Sequence, residues 1–189
     1  MDSTKRKATY EDLCRVPDNM VAEIIDGELF ASPRPALPHT LAASVIGSML
    51  VGAFGGNPGG SGAPGGWWIL DEPELHFGED VLVPDMAGWR RERVPVLPDA
   101  PAMTLAPDWA CEILSPSTAA VDRGRKMRVY AREGVGHLWV VDPLPRTLEV
   151  YRLEGDHWAV SSTHGSEVAL CAAPFEVVPI DMTRWWREP

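Results

Sequence analysis

Cysteine is scarce in this chain of 189 residues. Cys14, Cys111 and Cys171 are odd in number, far apart and never arranged as a CxxC pair. That pattern argues against a disulfide framework and against a structural zinc site. Basic side chains are also in short supply, 17 against 27 acidic ones, for a net charge of -10. Such acidity disfavours a protein that coats nucleic acid generally, which needs a broad positive surface, although a local basic site is compatible with it. Long apolar runs are missing too. The most apolar stretch, Leu41 to Phe54, is interrupted by Ser44, Gly47, Ser48 and Gly52 and falls short of the about 20 residues that span a bilayer. The first residues, Met-Asp-Ser-Thr-Lys-Arg-Lys, carry no apolar segment of the signal-peptide kind. The expectation is a cytoplasmic, reduced protein with no membrane partner. No Ser-His-Asp order, GxSxG elbow or HExxH helix occurs, so serine hydrolase and zinc protease chemistries fall away.

What is present suits a folded domain. An apolar fraction of 45% and eight tryptophans exclude global disorder, and the length fits one domain over residues 1–189 with a substantial core. Thr9 reads as the N-cap of a short helix over Tyr10-Glu11-Asp12-Leu13. Asp26-Gly27 lies between the apolar runs Val21–Ile25 and Glu28–Ala31, a hairpin signal. Pro38 opens a helix reaching about Val51. Its apolar residues lie nearly all round, implying burial on more than one side, in the core or, as the alternative, at a homodimer interface. Residues 55–66 form a glycine-rich flexible loop without the GK[ST] ending of a phosphate loop, which reads as a hairpin cap or lid.

Strand signals follow at Trp67–Leu70, Glu74–Phe77, Asp85–Trp89 and Trp109–Leu114. Ser115-Pro116-Ser117-Thr118 then breaks the pattern and leads into a helix from about Ala119 to Glu133, with Gly134 as its C-terminal cap. Leu138–Val141, Leu148–Leu153, Trp158–Ser161 and Val168–Leu170 read as a meander. This is an α/β or α+β domain around one mixed sheet.

The chemistry concentrates on Asp85, Glu112 and Lys126. Both acids are lone carboxylates in apolar, strand-like segments, where burial is unfavourable unless the group is paired, protonated or bound to metal. Alternation places Glu112 on one strand face with Ala110 and Leu114, and Cys111 and Ile113 on the other. If the two strands pair, the carboxylates converge on one oxygen-ligated cation, for which Mg²⁺ is suited. Helical spacing puts Asp122, Lys126 and Tyr130 on one face. Lys126 then either pairs locally with Asp122 or acts on a phosphate under attack, holding the attacking water or stabilising the charge that develops. Asp122 orients that lysine or complements the helix N-terminus, and Tyr130 reads as a packing residue. Around this site cluster Arg90, Arg91, Arg93, Arg123, Arg125, Lys126, Arg128 and Arg132, eight of the 17 basic side chains. They form either a solvated face or a polyanion-docking surface. His39 reads as a polar cap or as a group reaching the site. Trp67, Trp68, Trp89, Trp109 and Trp139 read as core; Trp185-Trp186 covers a sheet edge, joins a dimer contact or stacks on bases.

Several separated motifs over roughly residues 10 to 155 closely resemble the Uma-type restriction endonuclease family of the PD-(D/E)XK nuclease superfamily. They are Glu23-Ile24-Ile25-Asp26-Gly27-Glu28-Leu29, the helix beginning near His39, Val83-Pro84-Asp85, Glu112-Ile113-Leu114-Ser115-Pro116-Ser117-Thr118, Asp122, Lys126, Tyr130, Gly134-Val135 and Leu138-Trp139-Val140-Val141-Asp142-Pro143. The resemblance implies a restriction-endonuclease-like fold, a mixed sheet flanked by helices, here with the antiparallel meander at its C-terminal end. It implies Mg²⁺ or Mn²⁺ held by Asp85, Glu112 and the Ile113 carbonyl, DNA as substrate, and no small organic cofactor. The superfamily's lysine usually lies two residues after the glutamate, where this chain has Leu114; the Uma-type pattern carries it on the next helix, at Lys126. The additional N-terminal acid is Glu23 or Glu28, with Glu23 preferred because Glu28 directly follows the turn. Arg123, Arg125 and His39 are the expected substrate contacts. Two rival readings keep the fold: a non-catalytic module binding nucleic acid or a protein partner, and a metal enzyme acting on RNA or a nucleotide.

Overall fold

The computed structural model describes residues 6–59, 62–165 and 168–186. Helix α1 (Tyr10–Leu13) starts with a reciprocal capping box, Thr9 accepting from the Asp12 amide while the Asp12 carboxylate accepts from the Thr9 amide. Strands β1 (Met20–Ile25) and β2 (Glu28–Pro33) form the hairpin that Asp26-Gly27 signals. Both turn residues take positive φ, 54° and 77°, the geometry a two-residue loop requires. This hairpin joins β5 (Asp80–Leu82) and β4 (Leu75–Phe77) in a four-stranded sheet ordered β2-β1-β5-β4.

A larger sheet has six strands ordered β10-β9-β8-β7-β6-β3, comprising β3 (Trp67–Asp71), β6 (Met86–Arg90), β7 (Trp109–Ile113), β8 (His137–Asp142), β9 (Thr147–Glu154) and β10 (His157–His164). It is mixed, because β7 and β8 run parallel while the other neighbours are antiparallel. A parallel pair needs a crossover, and residues 119–132 supply it. The α+β class is as the sequence indicates, but the strands divide between two sheets rather than forming one. The expected strand at Val168–Leu170 is absent: only an isolated bridge joins Leu170 to Ile180.

Helices cover the large sheet on both faces. Trp109, Cys111 and Ile113 face helix α2 (Leu37–Phe54) and the C-terminal segment; Ala110 and Leu114 face the crossover helix and the small sheet. Helix α2 is longer than the sequence suggests, and its 18 residues are long and apolar enough to cross a membrane by length and composition alone. Here it lays one stripe, His39, Ala42, Ile46, Leu50 and Phe54, into the fold, while Leu37 is 82% exposed and Leu41 and Val51 are exposed too. Burial on more than one side is therefore corrected to burial of a single stripe. Trp185 and Trp186 belong to that same layer, Trp185 stacking on Trp139 at 6.2 Å. They are core residues, which replaces the readings as an edge cover, dimer contact or base-stacking platform.

The glycine-rich segment links α2 to β3 instead of capping a hairpin. Its described residues are tied down: Gly66 N donates to the Gly56 carbonyl, and Arg91 Nη2 donates to the Gly55 carbonyl at 2.7 Å. At Gly65 φ is 61°, and a Cβ would stand 2.4 Å from the Asn57 carbonyl oxygen, so only glycine fits.

Candidate active site

Strand register builds the site. In the antiparallel β6–β7 pair Met86 lies opposite Cys111, so the preceding residue, Asp85, arrives beside Glu112 and Ile113. The Ile113 amide donates to Asp85 Oδ2 at 2.6 Å. Val83-Pro84-Asp85 is also the link by which the chain passes from the small sheet to the large one, which sets Asp85 at the seam between them. Glu112 occupies the middle of β7 and is only 2% exposed. Both of its oxygens have partners. Tyr130 donates to Oε1 at 2.5 Å, and Lys126 Nζ lies 2.8 Å from Oε1 and 2.9 Å from Oε2.

Lys126 is equally buried, at 2% exposure. Besides Glu112 it reaches Glu23 at 3.0 Å, the Val83 carbonyl at 3.1 Å and Asp122 at 3.8 Å. The crossover is not one continuous α-helix as its sequence suggests. Helix α3 (Ala119–Val121) and helix α4 (Met127–Arg132) are joined by a wide π turn, Asp122–Lys126. Turns of this kind recur at functional sites. Gly124, with no side chain to crowd the turn, lies at its centre, and Lys126 is anchored at its end. The helix then ends as Gly134 indicates, with φ of 78°, Val135 N bonded to the Tyr130 carbonyl and Gly134 N to that of Ala131.

Of the expected residues, the structure brings together Asp85, Glu112, Ile113, Lys126, Glu23 and His39. Glu23, on β1, accepts from the Val83 amide at 2.8 Å and points at Lys126. Glu28 instead pairs with Arg125 at 2.9 Å. His39, in the first turn of α2, places Nε2 at 3.0 Å from Asp85 Oδ1. A cavity of about 60 Å³ lies over the group, lined among others by Glu23, His39, Asp85, Glu112, Asp122 and Lys126. Neither Arg123 nor Arg125 lines it.

The basic cluster is engaged within the chain. Arg123 makes two bonds to Glu149, at 2.6 and 3.0 Å; Arg128 pairs with Asp26, Arg132 with Asp80 and Arg93 with Asp108. Arg90 and Arg91 sit over the rings of Trp67 and Trp68, and Arg125 over Phe30. These residues are thus paired with acidic side chains or set over aromatic rings rather than standing free. Sequence reading also undervalued Tyr130, whose hydroxyl bonds Glu112; its place four residues after Lys126 was the available signal.

The cluster is over-supplied with negative charge. Burial pushes the Glu112 carboxyl well above the usual carboxylate range, opposed by Lys126 and reinforced by Asp122, Asp85 and Glu23. Burial also pushes Asp122 up to about 6, against the pull of Lys126 and a bond from Thr118. For Lys126 burial works toward neutrality, yet Glu112 and Glu23 foremost hold the ammonium well above its ordinary value. Burial would lower the His39 imidazolium, but Asp85 and the Ile113 backbone raise it on balance. Four carboxylates thus share one buried lysine and one histidine. Oxygen donors with surplus negative charge fit a hard divalent cation. Among the described residues, however, no three His, Cys, Asp or Glu side chains are already grouped as metal ligands, and Lys126 and Tyr130 bond both oxygens of Glu112.

Asp122 carries a testable signature. Its folded pKa, about 6, exceeds the unfolded value of about 3.9. Between those values the native state binds the extra proton, so the group's contribution to stability is complete below about pH 4 and is lost as pH rises through 6. In urea unfolding, the stability of wild type minus that of Asp122→Asn is expected to fall by roughly 2–3 kcal/mol from pH 4 to pH 7. A difference that stays flat contradicts this assignment.

A carboxylate just ahead of β6, a second one on β7 and a buried lysine therefore meet where the two sheets join. The model of the Uma2 family, described as "Putative restriction endonuclease", matches residues 8–182, and the chain belongs to that family. The fold is shared with the crystal structure of a putative nuclease belonging to DUF820 from Anabaena variabilis. The TM-score is 0.72 and the identity 21%, over 94% of this chain and 97% of that one. Among curated proteins none matches the chain.

Proposed function

We propose that this protein is a divalent-metal-dependent endonuclease hydrolysing DNA phosphodiester bonds. The observation that carries the reading is the convergence of Asp85, Glu112 and Lys126 in one cavity at the β6–β7 pair. Asp85, Glu112 and the Ile113 carbonyl would hold Mg²⁺ or Mn²⁺, which when bound offsets phosphate charge and lowers the pKa of water. The Lys126 ammonium, kept protonated by its carboxylate partners, supplies a fixed positive charge to the phosphate oxygens as negative charge develops there. Glu23 and Tyr130 are positioning residues: one holds the ammonium, the other the Glu112 carboxylate. Freeing Glu112 for an ion requires Lys126 to shift partly toward Glu23 and Asp122, both already within 3.8 Å.

Purified protein is expected to nick supercoiled plasmid with Mg²⁺ or Mn²⁺ and to stop when the ion is chelated. Absence of any divalent-ion binding at millimolar concentration overturns the proposal. Cleavage of single-stranded RNA but not duplex DNA moves the substrate to RNA. A second reading, a non-catalytic module, is favoured by the net charge of -10 and the internal pairing of the arginines. It predicts that Mn²⁺ raises the melting temperature while no nucleic acid is cut.

A further inference from the structure

His39 lies on the buried stripe of α2 and lines the same cavity as Asp85, Glu112 and Ile113. Two ordinary roles do not account for it. It is not a helix cap, because the N-cap is Ala36 and makes no side-chain bond. Simple packing does not call for an imidazole either, because Nδ1 is buried with no partner, an unfavourable arrangement that an apolar residue would avoid. What the ring does is deliver Nε2 to 3.0 Å from Asp85 Oδ1, while Asp85 Oδ2 is held by the Ile113 amide.

That spacing has a second meaning. Neighbouring ligands at right angles on a six-coordinate ion, with bonds of about 2.1 Å, stand about 3.0 Å apart. Nε2 and Oδ1 are already at that separation, one on helix α2 and the other on the residue just ahead of β6. We propose that His39 Nε2 is a direct ligand of the divalent ion beside Asp85 and the Ile113 carbonyl, and that this nitrogen donor tilts the site from Mg²⁺ toward Mn²⁺. Imidazole favours transition-series ions, whereas a set of carboxylate, carbonyl and water alone suits Mg²⁺ equally well. The proposal rests on the metal-dependent reading above. The competing role is that His39 only orients Asp85 through a hydrogen bond.

Pulsed electron paramagnetic resonance of the wild-type chain loaded with Mn²⁺ separates the two, because a directly bound imidazole nitrogen modulates the echo. The expected result is ¹⁴N modulation in wild type and its loss in His39→Gln. Calorimetric Mn²⁺ affinity is expected to fall on the order of 10- to 100-fold in that variant, with Mg²⁺ affinity changing far less. Mn²⁺ bound without nitrogen modulation, or with modulation that persists in His39→Gln, overturns this inference and leaves the nuclease reading standing. Failure of wild type to bind Mn²⁺ at all overturns both. The wild-type spectrum needs no variant to fold, and a thermal melt of His39→Gln shows whether the affinity comparison is between folded proteins.

Discussion

Replacing Glu112 by glutamine is expected to reduce DNA cleavage by about a thousandfold or more while leaving a folded protein. A divalent ion contributes several kcal/mol of charge stabilisation at such a centre, and each 1.36 kcal/mol is about tenfold in rate. Glu112 is the carboxylate on which the cluster is built: Lys126 and Tyr130 both bond it, and Asp85 lies just ahead of the neighbouring strand β6. Glutamine keeps the size and the acceptor for Tyr130 but removes the charge an ion requires and presents an amide donor to Lys126. The loss should therefore appear in metal affinity as well as in rate. Parallel titration calorimetry and plasmid nicking check both, with circular dichroism reporting the fold. Undiminished nicking by Glu112→Gln would remove Glu112 from the chemistry.

Lys126→Met is expected to have the largest effect on stability, a loss of about 3–5 kcal/mol near neutral pH, together with loss of cleavage. Removing one partner of a buried charge group leaves the others uncompensated, and here Glu23, Glu112 and Asp122 all lose the same ammonium. The sign with pH follows. Burial already raises Glu112 and Asp122, and Lys126 is the main influence lowering them; without it their folded values climb further. Groups with raised folded pKa stabilise the native state more as pH falls. The deficit of Lys126→Met relative to wild type should thus shrink from pH 8 to pH 5 in urea denaturation. A deficit that grows toward pH 5 would mean the carboxylates are not what Lys126 neutralises.

Much of this site was legible because its signals are local. Alternation along Trp109–Ile113 puts Glu112 on the face opposite Cys111, and the two core layers confirm that split. The Asp26-Gly27 turn, the Thr9 cap and the Gly134 cap each depend on a few adjacent residues and appear where the sequence places them. What stayed hidden depends on distant partners. Arg123 meets Glu149 and Arg132 meets Asp80 only because strands far apart in sequence come together, so a basic run looked like a free surface. Division of the strands into two sheets has the same origin, since Val83 to Asp85 shows no local sign of crossing between them. The π turn escaped because Asp122, Lys126 and Tyr130 share a face in a regular helix too. Nothing in residues 182–186 distinguishes core tryptophans from surface ones until Trp185 stacks on Trp139.

The most direct measurement is an anomalous difference map from a crystal soaked in Mn²⁺. The account predicts a peak in the cavity between Asp85 and Glu112, within coordination distance of both carboxylates and the Ile113 carbonyl, with Lys126 beside it. A peak elsewhere on the molecule in a crystal of protein that cuts DNA, with the Asp85–Glu112 cavity empty of Mn²⁺, would contradict it.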